Sequence, residues 1–395
     1  MEKQKCPEIR FKGFNEAWEF KKLEEVGAFN PSSSLPQSFE YVDLESVVGT
    51  ELLGSRSETI DSAPSRAQRL ACKGDVFYQA VRPYQKNNYL FDLSCDNYVF
   101  STGYIQIRPN INSQFLLNLV QKNDFVLRVL ENCTGTSYPA INTTGLKNIE
   151  AFISSHIDEQ GQIGEFFQNL DQSIALHEKK LAQTQKFKKA MLEKMFPKQG
   201  SNRPEIRLKG FSGDWQEDIL EQLSSVQMCK RIFKSETREK GEIPFYKIGT
   251  YGSTPDAFIS RALYDEYKEK YPYPDVSDIL ISASGTIGRT VIYRGEKAYY
   301  QDSNIIWLKI DKSKLSNKFL AYFYEIAKWN NVEGSTIKRL YNSDILSTAI
   351  RFPSLKEQNA IGNFFKQLDD TFVLQNQQLQ TLKNLKQALL EKMFV

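Results

Sequence analysis

Histidine is nearly absent: His156 and His177 are the only two in 395 residues. Histidine is the commonest general base and metal ligand, so a histidine-based active site is not expected. His156 is read as closing a strand or loop, and His177 as lying in a helix seam. Cysteine is scarce and unpatterned. Cys6, Cys72, Cys95, Cys133 and Cys229 are odd in number and form no CxxC. That argues for free thiols in a reducing cytoplasm and against a zinc site. No apolar run approaches the ~20 residues of a membrane span, and the polar opening MEKQKCPEIR gives no reason to expect a signal peptide. An excess of one charge is lacking as well. The 51 bases and 48 acids leave +3, which neither demands nor excludes nucleic acid, because local patches decide.

Enzyme signatures are missing too. There is no GxxxxGK[ST], no GxGxxG after a strand, no HExxH and no GxSxG. "SGTIGRT" around Gly285 and Gly288 reads as a turn between strands. "NPSS" at Asn30 is not the Asn-Pro-Pro-aromatic motif with which amino-methyltransferases hold a flipped base. No catalytic role and no metal site are expected of this chain.

What is present is repetition. With 41% apolar residues the chain can build packed cores, and its 395 residues suggest two or three domains. "PEIRFKGFNEAW" from Pro7 returns as "PEIRLKGFSGDW" from Pro204, an offset of 197. "EQGQIGEFFQNLDQSI" from Glu159 returns as "EQNAIGNFFKQLDDTF" from Glu357, and "KAMLEKMFP" from Lys189 as "QALLEKMFV" from Gln387, both at 198. Between these anchors the copies diverge. "KGDVFYQAV" from Lys73 aligns with "VSDILISAS" from Val276 at an offset of 203. A shared frame thus surrounds two specialised bodies.

The frame ends are helical. Residues 166–197 and 364–395 hold no internal Gly or Pro, and each stretch of 32 residues would span roughly 48 Å. Apolar residues recur at spacings of three and four or sums of the two: Phe167, Leu170, Ile174, Leu181 and Met191 in arm one, Phe365, Leu368, Phe372, Leu379, Leu382 and Leu389 in arm two. Polar residues interrupt this heptad-like seam at matching places, His177 with Gln375 and Lys188 with Lys386. Either each arm packs on its own body, or the two pack on each other. The short link Lys198–Arg203 favours the second, with arm two running back antiparallel and Val395 near Met1. The expected architecture is α+β: two globular bodies joined by two long antiparallel helices in a coiled coil, with pseudo-two-fold internal repeat. The segments are 1–155, body one; 156–200, arm one; 201–352, body two; and 353–395, arm two.

Strand-like runs bounded by Gly, Pro and Asn carry polar, basic loops in both bodies. Arg, Lys, Gln, Asn and Ser are the residues that read base edges, and Gly lets backbone approach phosphate. Candidate DNA contacts are Ser65, Arg66, Gln68, Arg82, Tyr84, Lys86, Ser137 and Tyr138 in body one. In body two they are Lys247, Tyr251, Ser284, Thr286, Arg289, Ser335, Lys338 and Arg339. Two other classes stay open: a protein scaffold whose loops bind partners and not DNA, and an enzyme fragment lacking its catalytic half.

The doubled "EQ…IG…FF…LD", the doubled "PEIR…W" and "GST…LYNSDILSTAIRFPSLKEQNAI" (Gly334–Ile361) resemble the specificity subunit of type I restriction–modification enzymes, over essentially the whole chain. The first copy departs in "FISSHIDEQ" and "GTSYPAINTTGL". The resemblance implies that each body is a target recognition domain reading one half of a bipartite, asymmetric sequence in double-stranded DNA. It implies that the arms set the gap and dock two modification subunits, and that restriction subunits join the complex. S-adenosylmethionine, ATP and Mg would belong to those partners, and this non-catalytic chain would bind no cofactor. No membrane association is implied.

Overall fold

The repeated opening phrases lead into strands that close each body. Glu19–Lys22, just after Trp18, pairs antiparallel with Glu150–Ile153; Gln216–Ile219, just after Trp215, pairs likewise with Ala349–Phe352. The computed structural model describes residues 6–285, 287–329 and 339–395. The chain folds as two compact units, Met1–Lys179 with Asn376–Val395, and Lys180–Gln375. These divisions run through the arms. Each unit therefore holds one body, the start of its own arm and the end of the other arm.

Within each unit two sheets share one plan. In unit one Gly27–Phe29, Tyr104–Pro109, Val76–Gln79 and Tyr89–Leu90 lie side by side, all antiparallel. In unit two Ser224–Met228, Ile305–Ile310, Ile279–Ser282 and Thr290–Ile292 repeat that order. The second sheet of each unit contains a parallel pair, Ser38–Val42 beside Tyr98–Ser101 and Ile243–Tyr246 beside Tyr299–Tyr300. Val76 and Ile279 begin equivalent strands, so the sequence offset of 203 is a structural one.

The E, Q, G, second F and D of the phrase "EQ…IG…FF…LD" each have a structural reason. Glu159 accepts two hydrogen bonds from Arg10 (2.5 and 2.9 Å), one from Trp18 and one from Ser154. Glu357 accepts the matching pair from Arg207, at 2.8 and 2.7 Å. The Arg of each "PEIR" is thus clamped to the Glu of its own "EQ". The copies differ at the tryptophan, because buried Trp215 Nε1 has no partner. Gln160 and Gln358 are buried, and each accepts from a backbone N–H at the start of a body helix, Asn112 and Ser316. The glycine lets those helices approach: a Cβ on Gly164 would stand 2.8 Å from Asn112 Oδ1, and one on Gly362 2.6 Å from Lys318 Cβ. Phe167 and Phe365 are fully buried. Asp171 accepts from Lys386, and Asp369 pairs with Lys188 at 2.7 Å, the same bridge made in both units.

The arms are longer than the glycine-free stretches suggest. Ile157–Met195 and Leu355–Met393 are single helices of 39 residues, each roughly 58 Å at 1.5 Å per residue. They begin before the glycines because close packing, not propensity, decides there. Pairing is antiparallel within each unit: Asp171 with Lys386 and Glu178 with Lys383 in unit one, Lys188 with Asp369 and Thr184 with Gln375 in unit two. Along the seam Phe167, Phe365 and Leu379 are buried. Leu170, Ile174, Leu181, Met191, Leu368, Phe372, Leu382 and Leu389 are half-buried. The arm starts also pack on their own bodies, so the two packing modes coexist. Near the chain ends Ile9 N–H donates to the Lys392 carbonyl (3.0 Å); Met1 lies outside the described residues.

The clamp has a testable acid limb. Burial opposes the Glu159 carboxylate, but Arg10, Ser154 and Trp18 outweigh it and hold the pKa below the usual range. A depressed carboxylate contributes full stability above the ordinary glutamate range and loses it as pH falls through its folded value. Glu159→Gln leaves Arg10, 12% exposed, without its carboxylate and with the Glu16 carbonyl still accepting from it. The expected loss is about 3 kcal/mol at neutral pH, shrinking as the pH is lowered. Urea unfolding across pH measures both; a loss under about 1 kcal/mol would remove the clamp from the stability argument.

Candidate nucleic-acid interface

In unit one a single turn gathers the predicted loops. Thr102 and Gly103 join a strand of one sheet to a strand of the other. Thr102 N–H donates to the Arg66 carbonyl (2.8 Å), and Ala80 N–H to the Gly103 carbonyl (2.9 Å). Ile141 N–H donates to the Ala80 carbonyl (3.0 Å) and Arg82 N–H to the Pro139 carbonyl (2.8 Å). The three loops carrying Arg66, Arg82 and Tyr138 therefore form one backbone-bonded rim. Ser65, Arg66, Gln68, Tyr84, Ser137 and Tyr138 are exposed on it and Arg82 is half-buried.

Unit two builds the same junction from different residues. Ala283 N–H donates to the Asn304 carbonyl (2.9 Å) and Leu340 N–H to the Ala283 carbonyl (2.8 Å), as Ala80 and Ile141 do in unit one. Ser284 Oγ meets Asn304 Oδ1 at 2.8 Å, and Arg339 donates to the Ser303 carbonyl at 3.4 Å. Lys247 is paired with Asp256 at 2.8 Å, while Arg289 is exposed with its guanidinium 5.8 Å from the Tyr251 ring centre. Thr286, Ser335 and Lys338 lie outside the described residues.

Two candidates are corrected. Tyr251 is 0% exposed, with its hydroxyl donating to the Leu280 carbonyl. It is a core residue, because a ring on a polar loop still has apolar area to bury. Lys86 is turned inward: its ammonium donates to the Gln121 carbonyl (2.9 Å) and to Asn123 Oδ1 (2.5 Å). Burial lowers its pKa despite nearby Glu391. It secures the junction of helices Ser113–Gln121 and Asn123–Glu131 rather than facing a ligand.

The sequence reading missed a cleft in unit two of about 710 Å³, lined by Arg231, Lys234, Arg238, Lys247 and Arg339 against Glu239, Asp256 and Asp302. Arg231 reaches Asp302 only at 3.8 Å. Exposed Phe233 stands 5.6 Å from the Arg231 guanidinium. The signal was available as "KRIFKSETREK" (Lys230–Lys240), with bases on both sides of one aromatic. Interspersed Glu236 and Glu239 hid it in a charge count. Positive clefts of this kind suit phosphate. Among the described residues no group of His, Cys, Asp or Glu could hold a metal ion, and no helix is long and apolar enough to cross a membrane.

Known proteins resemble this chain in sequence and in fold. A Haemophilus influenzae protein described as a putative type I restriction enzyme specificity subunit is 57% identical over 142 residues, 36% of this chain and 37% of that protein. A Methanocaldococcus jannaschii protein described as a putative type I restriction enzyme MjaX specificity subunit is 25% identical over 305 residues, 72% of this chain and 68% of its own. In fold the chain is similar to the S subunit of a type I restriction–modification system from M. genitalium, with a TM-score of 0.63 at 16% identity over 99% of both chains. The sequence profile described as "Type I restriction modification DNA specificity domain" matches residues 15–186 and 212–384. Matched twice and over most of its length, the chain belongs to the family of type I restriction–modification DNA specificity domains.

Proposed function

We propose that this chain is the address-reading subunit of a type I restriction–modification complex. Each unit reads one half of a bipartite, asymmetric site in double-stranded DNA, and the arms fix the unspecified gap. The arms and bodies dock two modification subunits, which supply S-adenosylmethionine chemistry, and restriction subunits join with ATP and Mg. The chain itself performs no catalysis and works in the cytoplasm. One observation carries this reading: the same backbone junction holds a different set of polar and basic loops in each unit. A common mount with unlike loops is what two unlike half-sites require.

Salt titration of DNA binding by the chain assembled with its modification subunits tests it. Phosphate contacts make affinity fall steeply with salt. Arg231→Ala with Arg238→Ala should weaken all sequences alike and flatten the slope by about one for each phosphate released. A wild-type complex whose binding ignores salt would favour the protein-scaffold reading.

A further inference from the structure

Unit one holds seven arginines, and most are neutralised. Arg10 is held by Glu159, Arg56 by Glu58, Arg108 by Asp75 and Arg128 by Asp124. Among the described residues only Arg66, Arg69 and Arg82 meet no acid, and all three lie on or beside the rim at Thr102. Arg69 is half-buried with its Nε unpartnered, and burial lowers its pKa. Arg82 is different. Its guanidinium lies 4.4 Å from the centre of the Tyr138 ring. None of its side-chain N–H groups is bonded to protein among the described residues.

The backbone adds a second observation. Arg82 has φ 55° and ψ 56°, the left-handed region, directly before Pro83. A bulky L residue is strained there, and a residue before proline is biased towards extended conformations. The bond from Arg82 N–H to the Pro139 carbonyl holds the conformation, and reciprocal Thr134–Ala140 bonds (2.9 and 3.0 Å) close the loop that presents Tyr138. Tyr138 is 63% exposed. Such strain persists where the surroundings impose it, and it clusters at functional sites. Here it aims one side chain at another.

We infer that Arg82, held over the Tyr138 ring, reads a guanine in the first half-site through the major groove. This deepens the function proposed above and rests on it. The Tyr138 ring holds the guanidinium carbon, and the side-chain N–H donors have no protein partner among the described residues. The planar fork matches guanine O6 and N7. Holding the side chain against the ring beforehand reduces the freedom lost on binding. Tyr138 is a positioning residue, and Arg66 is an open cation on the same rim.

The experiment uses the chain complexed with its modification subunits and a panel of duplexes altered one base pair at a time through both half-sites. The wild-type complex should penalise loss of one G·C pair in the first half-site. Arg82→Ala should reduce that penalty by roughly 10- to 100-fold while leaving every other position unchanged. Arg82→Gly, which takes this backbone without strain, should behave alike and excludes misfolding as the cause. Arg82→Lys should not fully restore discrimination, because an ammonium lacks the planar fork that meets O6 and N7 together. Tyr138→Phe should keep discrimination and Tyr138→Ala should lose part of it. Uniform weakening of all duplexes by Arg82→Ala would assign Arg82 to phosphate and overturn the inference, as would an unchanged panel. A wild-type complex that ignores sequence would overturn the proposed function itself, and this inference with it.

Discussion

Phe394→Ala is expected to destabilise unit one by about 3–5 kcal/mol, as for other large buried aromatics. Phe394 is 2% exposed, and its ring centre lies 5.0 Å from Phe115, 5.9 Å from Trp18 and 6.1 Å from Phe167. Leu390 and Met393 enter the same core. The equivalent residue from the end of arm one, Phe196, sits among Phe319, Trp215 and Phe365 in unit two, at 5.2, 6.0 and 6.3 Å. Each core is thus finished by the arm end of the other copy. Urea unfolding followed by tryptophan fluorescence separates the units once single emitters are kept, since Trp18 lies in unit one and Trp215, Trp307 and Trp329 lie in unit two. Phe394→Ala should move the first transition and Phe196→Ala the second. A change below about 1 kcal/mol in either would mean that the arm ends are ornament to these cores.

Lengthening both arms is expected to lengthen the DNA target without changing what is read. Four residues inserted between Lys180 and Leu181, and four more between Gln378 and Leu379, add about 6 Å to each helix and about 40° of excess rotation. The repeat puts these positions in register at an offset of 198, and both lie between the last ion pair of unit one and the first side-chain bond of unit two. Each seam can absorb the insertion as a stutter. The half-sites should keep their identity, with one or two more unspecified base pairs between them. Inserting into arm one alone should give a smaller or heterogeneous shift, because arm two keeps its length. Methylome mapping of cells carrying the variants reads the gap directly. Full activity at the old gap would show that something other than arm length measures it.

The frame was legible because packing demands are local in sequence there. Gly164 and Gly362 admit no side chain, Glu159 and Glu357 each need their arginine, and such constraints keep the two copies alike. The loop rims were legible as regions, and Arg66, Arg82 and Tyr138 do converge. Individual side chains were less so. Nothing in "IGTYGSTP" says that the tyrosine turns inward to Leu280, or in "VRPYQKNN" that the lysine turns towards Gln121. Those directions depend on helices and strands far away in sequence. The basic cleft of unit two escaped for the opposite reason. Its cations come from Arg231, Lys247 and Arg339, more than a hundred residues apart at the extremes, and folding alone collects them.

The exchange of arm ends imposes an order on synthesis. Unit one needs Leu390, Met393 and Phe394, yet all of Lys180–Gln375 is made before they are. At ordinary elongation rates that interval is roughly 10–40 s. During it the seat for Phe394, lined by Trp18, Phe115 and Phe167, has no occupant from its own chain. Unit two has no such wait, because Leu192, Met195 and Phe196 precede its body. The half of the protein that leaves the ribosome first is therefore the half that is finished last, and a chaperone that meets the chain before Leu390–Phe394 are made will find the seat in the first unit open.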